Sequence, residues 1–232
     1  MSDFDCFMTQ EILEAFTEEI SACEGKVTET FHQPGRLLVR SVFPQMEEIR
    51  AGDKVQGGVA LRATDTAAWV YPYVFRLVCK NGAIMAHATE GREIPNLDSV
   101  PAFEAASLVS EAVESCCGRN VFTTAAEQMR TAAQQPVDAM LNMMPFLAKV
   151  SSLAPEFARQ IVERFFREND RTRYGFMNAV TSVARDTRDP MMRWRLEELG
   201  GQIAVTQPAE PVLDDGAEAL VRGDDESVVI SR

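Results

Sequence analysis

The residues able to do chemistry fall into three groups. The first is Arg76, Cys79, Lys80, Asn81 and His87, close together within WVYPYVFRLVCKNGAIMAH (69–87). A thiol near an imidazole is the raw material of a cysteine nucleophile. No spacing rule brings Cys79 beside His87, and no glycine-rich nucleophile turn surrounds the cysteine. Cys79 alternates with Tyr71, Tyr73 and Phe75, which favours a buried structural thiol. The second group is cationic. Residues 159–195 hold Arg159, Arg164, Arg167, Arg171, Arg173, Arg185, Arg188, Arg193 and Arg195 against five acids. Guanidinium forks suit phosphate, and Tyr174, Phe176 and Trp194 lie among them as faces on which bases stack. The bland alternative is a solvated, salt-bridged helix face. The third group is Asn178 with Thr181, three apart and so on one helix face. That pair either fastens a helix to a sheet through hydrogen bonds or lines a pocket.

Other chemistries lack their residues. The chain has no P-loop, no GxGxxG, no HExxH and no array of metal-binding carboxylates. Cys6, Cys23, Cys79, Cys116 and Cys117 are odd in number and irregularly spaced, none forms CxxC, and there are two histidines. A structural zinc site is therefore not expected, and reduced, mostly buried thiols are. No cofactor, metal or catalytic activity is expected.

The first group must be positioned by the most apolar run of the chain. Trp69, Tyr71, Tyr73, Phe75, Leu77 and Cys79 alternate with Val70, Pro72, Val74, Arg76 and Val78. Both sets are largely apolar, which predicts a strand covered on both faces. Asn81-Gly82 predicts the tight turn of a hairpin, with Ala83–Thr89 returning as the second strand. Pro72 cannot donate to a ladder and predicts an edge position or a bulge. Upstream, the period of two predicts strands at 26–32, 37–43 and 55–61, with Gly57-Gly58 marking a bulge or a close backbone approach. Residues 47–53 read as a polar connection. The sum is an antiparallel meander of four to five strands.

A helix over 7–24, with Leu13, Phe16, Ile20 and Cys23 inward, precedes the sheet and stops at Gly25. It packs on its own domain or on a neighbouring subunit. After Pro95 the pattern turns helical. Ser99 caps one helix, which Gly118 ends; Thr124–Glu127 is a capping box opening the next; Asp138–Met144 is methionine-rich; and Pro145 restarts the helix. Pro155–Asn169 and Tyr174–Arg185 follow, then a helix from Asp189-Pro190 that stops at Gly200-Gly201. The organisation is a helix at 1–25, a sheet over 26–98 and a helical part over 99–205 in one α+β domain, and an acidic, mostly disordered tail over 206–232.

The charge is unevenly spread. The chain of 232 residues has a net charge of -12, with seven acids and no Lys or Arg in 1–24, and seven acids against two arginines in 209–232. That leaves 21 charges of each sign between them. The acidity excludes non-specific nucleic-acid binding by the whole surface while leaving room for a local basic patch. No apolar run spans a bilayer and the acidic N-terminus is unlike a secretory signal, so a cytoplasmic protein without membrane partners is expected.

Three segments, taken together, resemble a known family. VFRLVCKNGAI, RYGFMNAVTSVA and LEELGGQI occur in the order and spacing of a phage- and plasmid-encoded family catalogued as domain of unknown function 932. Its recurrent marks would be Arg76, Cys79, Asn81, Gly82, Asn178, Ala179 and Thr181, within a match over residues 36–204. Where the family carries an NSE-like turn, this chain has Ala63-Thr-Asp-Thr66. The resemblance implies a mobile-element setting and no established enzyme activity. The expected layout, a curved sheet with helices on one side, also resembles single-strand annealing proteins that form rings. The readings are, in order, a non-catalytic single-stranded DNA binder in recombination or replication, acting as a homo-oligomer; a factor that binds a host or phage protein through its acidic ends; and a Cys79-dependent enzyme. In the first, Arg76, Lys80, Arg164, Arg167, Arg171 and Arg173 would hold phosphates.

Overall fold

The computed structural model describes residues 3–137, 143–153 and 155–205. The acidic tail and residues 138–142 of the methionine-rich stretch lie outside them. Helix α1 (Asp3–Ala22) is followed by β1 (Lys26–Gln33), β2 (Arg36–Val42), β3 (Met46–Arg50), β4 (Asp53–Thr64), β5 (Ala67–Arg76), β6 (Asn81–Ile84) and β7 (Arg92–Pro95). A short 3-10 turn leads into α2 (Ala102–Cys117), α3 (Arg119–Gln134), α4 (Met144–Leu153), α5 (Pro155–Glu168), α6 (Arg173–Asp186) and α7 (Pro190–Val205). The expected α+β arrangement holds, with strands first and helices after.

All pairings are antiparallel in the order β1-β2-β4-β5-β6. The long β4 takes β3 along its first half and β2 along its second, and β5 carries β6 and β7 on its far edge. The sheet therefore has seven strands rather than four or five. Residues 47–53 are mostly strand, because Glu47 and Glu48 pair with Val55 and Lys54 and leave only a tight turn at Gly52 (φ +78°).

Pro72 sits in central β5 opposite Val59, not at an edge. Val59 directs its backbone groups at the Ser41 hydroxyl on β2. The Pro72–Val59 pair is thus a non-bonded one, and the missing N–H falls in the gap between β6 and β7. The Pro72 carbonyl still accepts from Met85 N at 2.8 Å. Gly57 and Gly58 mark the expected close approaches, to the Phe122 ring and to the Ser41 carbonyl.

Alternate strand residues face different layers. Leu37, Val39, Val59, Leu61, Ala63, Ala68 and Val70 pack with Ile12, Phe16 and Ile20 of α1 and Val109, Ala112 and Val113 of α2. Farther along, Val55, Val74 and Ala83 pack with residues of α3, α5 and α6. The opposite parity, Leu38, Ala60, Tyr73 and Ile84, meets Trp194 of α7. Helices thus cover both faces, as the apolar β5 predicts, and the one-sided layout does not form. α1 packs on its own domain, with Ile12 rather than Leu13 in the inward stripe. Glu24 takes the positive φ (59°) that ends α1, and Gly25 N donates to Ile20 O.

Three helix boundaries move. Ser99 does not cap α2: it ends the 3-10 turn, its hydroxyl donates to the Asn96 carbonyl, and α2 starts after Pro101. α3 begins directly after Gly118, so Thr124 lies inside it rather than capping it. α7 runs through Gly200-Gly201 to Val205 instead of stopping there. A Cβ at Gly201 would lie 1.9 Å from the Ile84 carbonyl oxygen and one at Gly200 2.4 Å from Thr181 Cγ2. The pair brings α7 against β6 and α6, and packing overrides the low helix propensity of glycine.

Candidate functional site at the β5–β6 turn

Asn81-Gly82 does not form the turn. Arg76 pairs with Asn81, so the loop is Leu77–Lys80, and Lys80 supplies the positive φ (50°). The register shift places Asn81 in β6, where it is 2% exposed. Gly82 must be glycine, since a Cβ there would fall 2.0 Å from the Tyr73 hydroxyl. Cys79 moves from the expected strand into the loop and is half-buried.

Two polar contacts fasten this turn. Arg76, at the end of β5, faces Asp53 at the start of β4. Its Nε and Nη2 donate to Oδ1 and Oδ2 at 2.8 Å each, a bidentate fork. Tyr174 donates its hydroxyl to Asp53 Oδ2 at 3.1 Å, and its ring lies between the guanidinium carbons of Arg76 (5.7 Å) and Arg50 (5.3 Å). Burial alone would lower the Arg76 pKa, but the hydrogen bond to Asp53 and nearby negative charge raise it. Burial pushes the Tyr174 phenol up, against the Arg76 charge. The second contact joins β6 to α6: Asn81 Nδ2 donates to Thr181 Oγ1 at 2.5 Å. Thr181 donates in turn to the Met177 carbonyl, and the Asn178 side chain lies beside the Tyr174 hydroxyl.

The six residues Arg76, Cys79, Asn81, Gly82, Asn178 and Thr181 therefore meet in space, across a hundred positions of sequence. All of them but Cys79 line a cavity of about 10 Å³, together with Val55, Val74, Ala83, Met129, Tyr174 and Met177. That volume admits about one water and no substrate. Cys79 Sγ accepts from Arg76 Nη1 at 3.1 Å. His87 is exposed, and no hydrogen bond among the described residues joins it to Cys79. No cluster of His, Cys, Asp and Glu among the described residues has the grouping of a metal site.

The cations separate into bound and free. Arg76 is held by Asp53. Arg164 bonds Ser182 and Asp186. Arg173 is half-buried, donates to the Ala204 carbonyl at 3.2 Å, and has its pKa lowered by burial. These three are poorly placed to hold phosphate. Arg171 caps the C-terminus of α5 through the Phe165 and Phe166 carbonyls and lies 4.4 Å from the Phe166 ring centroid. Lys80, Arg167, Arg171 and Phe166 are exposed, Phe166 at 49%. Arg185 donates to the Cys79 carbonyl and to Asp186 Oδ1, linking the turn to α5 through the carboxylate it shares with Arg164. The Arg185 hydrogen bond, with help from Arg164, holds Asp186 below the usual carboxylate range.

Sequence reasoning missed Asp53 and a second buried ion pair. Arg40 of β2, 2% exposed, donates Nε to Glu197 Oε2 at 2.8 Å. Its Nη2 is 2.7 Å from the same oxygen, close enough for an ion pair but without hydrogen-bond geometry. Glu197 also accepts from Arg193, which reaches Glu29. Burial pushes Glu197 up, and the two guanidinium groups oppose that. Arg40 alternates with Leu38 and Val42 inside an apolar strand, and that interior cation was the available signal.

No helix among the described residues is long and apolar enough to cross a membrane. No protein-family model matches this chain, and no curated protein or solved structure matches it.

Proposed function

We propose that the chain is a non-catalytic accessory factor of a phage or plasmid that binds single-stranded DNA, as an oligomer, along a strip from Lys80 past Arg185 to Arg167 and Arg171. The observation that carries this reading is Phe166, half exposed with the Arg171 guanidinium against its ring and Arg167 beside it in sequence. An exposed aromatic beside exposed cations suits a stacked base with its phosphates held at either side. The strip is smaller than the set expected from sequence, because Arg76, Arg164 and Arg173 have protein partners. Asp186 and Glu168 temper it further. The mobile-element setting rests on the resemblance, whose marks converge on the turn that presents Lys80.

The test is a salt series of single-stranded oligonucleotide binding. With three to four phosphates neutralised, the slope of log K against log salt should be about -2 to -3. Phe166→Ala should weaken binding by about 1–3 kcal/mol, and Lys80→Glu with Arg167→Glu should abolish it. Absence of binding at low salt, or indifference to both variants, overturns the proposal.

A second reading has its own observation. Glu14 and Glu18 project from α1, and near its start a groove lined by Glu11, Asp98 and Phe103 leaves Phe103 72% exposed. An acidic face with an apolar anchor suits a basic protein partner.

A further inference from the structure

We infer that the side-chain oxygens of Asn81 and Asn178 share one internal water molecule, which completes the joint between β6 and α6. Both side chains are buried, at 2% and 3% exposure. Neither Oδ1 has a hydrogen-bond partner among the described residues, and both residues line the same cavity of about 10 Å³. A buried acceptor left without a donor costs about 1–3 kcal/mol, so two in one cavity are a strong demand for a donor.

The neighbours cannot supply it. The Thr181 hydroxyl donates to the Met177 carbonyl, and the Tyr174 hydroxyl donates to Asp53. Val55, Val74, Ala83, Met129 and Met177 line the cavity without donors on their side chains, and Arg76, which lines it too, bonds Asp53 and Cys79 and reaches neither Oδ1. The ligand must be small, since the volume is that of one water. It must bring two hydrogens for two carbonyl-type oxygens. It must also be neutral, because the Arg76 guanidinium lines the same space and would repel a cation. Water meets all three conditions. The pairing of asparagines from β6 and α6 then has a physical meaning. Asn81 grips Thr181 through its nitrogen and water through its oxygen, while Asn178 lies beside Tyr174 and grips the same water.

The test uses the full chain without nucleic acid, so it stands or falls apart from the DNA-binding reading. A crystal structure at high resolution should show one solvent peak within about 2.7–3.2 Å of both Oδ1 atoms. In solution, the side-chain amide protons of Asn81 and Asn178 should show cross-relaxation with a long-lived water, and Asn178→Leu should remove that signal from Asn81. If the variant does not fold, the wild-type measurements decide. The inference is overturned if the Asn81 amide turns over and bonds Asn178 Oδ1 directly, or if no solvent peak and no long-lived water signal are found.

Discussion

Arg76 and Arg40 are both drawn out of bulk water, and they are held differently. Arg76 and Asp53 lie near the surface, with side chains 18% and 12% exposed, in a bidentate fork over Tyr174. Arg40 and Glu197 are inside, at 2% and 1%, with Trp194 5.8 Å from the guanidinium. The first pair closes the rim around the β5–β6 turn, where water can take over a lost contact. The second ties β2 to α7 across the sheet, where Arg40 also donates to the part-exposed Glu29 at 3.3 Å but water does not reach the Glu197 carboxylate. The depth of an ion pair, more than its hydrogen-bond count, sets what its loss does.

Removing one partner from each pair tests that difference. Glu197→Gln leaves Arg40 buried beside a neutral group and should lower unfolding stability by about 3–5 kcal/mol, read from the denaturant midpoint. Replacing both, Arg40→Met with Glu197→Leu, should recover most of the loss. Asp53→Asn breaks the fork and weakens the Tyr174 bond, and should cost about 1.5–3 kcal/mol. If Asp53→Asn proves the more damaging, depth is not the governing variable.

The smallest effect belongs to an exposed pair. Asp186 is held below the usual carboxylate range by Arg185 and Arg164. An acid whose pKa is depressed by folding stabilises the protein above its unfolded pKa, about 3.9, and loses that contribution as pH falls toward the folded value. Asp186→Asn should therefore flatten the acid limb of the stability curve below about pH 4 and leave it nearly unchanged at neutral pH. An unaltered acid limb would show that these contacts do not shift the Asp186 carboxyl.

Much of the architecture was legible in the residue pattern. The twofold apolar alternation of β5 announced a strand covered on both faces. The candidate site was legible as pieces: Arg76, Asn81, Asn178 and Thr181 stood out by type and spacing. Their junction was not, because Asn81 reads as a turn residue and only the Arg76–Asn81 register turns it inward. The two glycines of α7 read as a stop for the same reason, since local propensity knows nothing of the Ile84 carbonyl they approach. The arginine-rich stretch was the least faithful guide. Charge counts along a chain do not say which guanidinium groups will meet a carboxylate.

What the sequence by itself determined is the order of strands and helices, the neutral middle between two acidic ends, and the short list of polar residues with a role to play. Those follow from periodicity and composition, which act locally. The tertiary structure alone decided that Asp53 clasps Arg76, that Glu197 finds Arg40 and that Lys80, Arg167 and Arg171 stay exposed. Each of these depends on which side chains meet after the chain has folded back on itself, and burial then turns a surface charge into an internal tie.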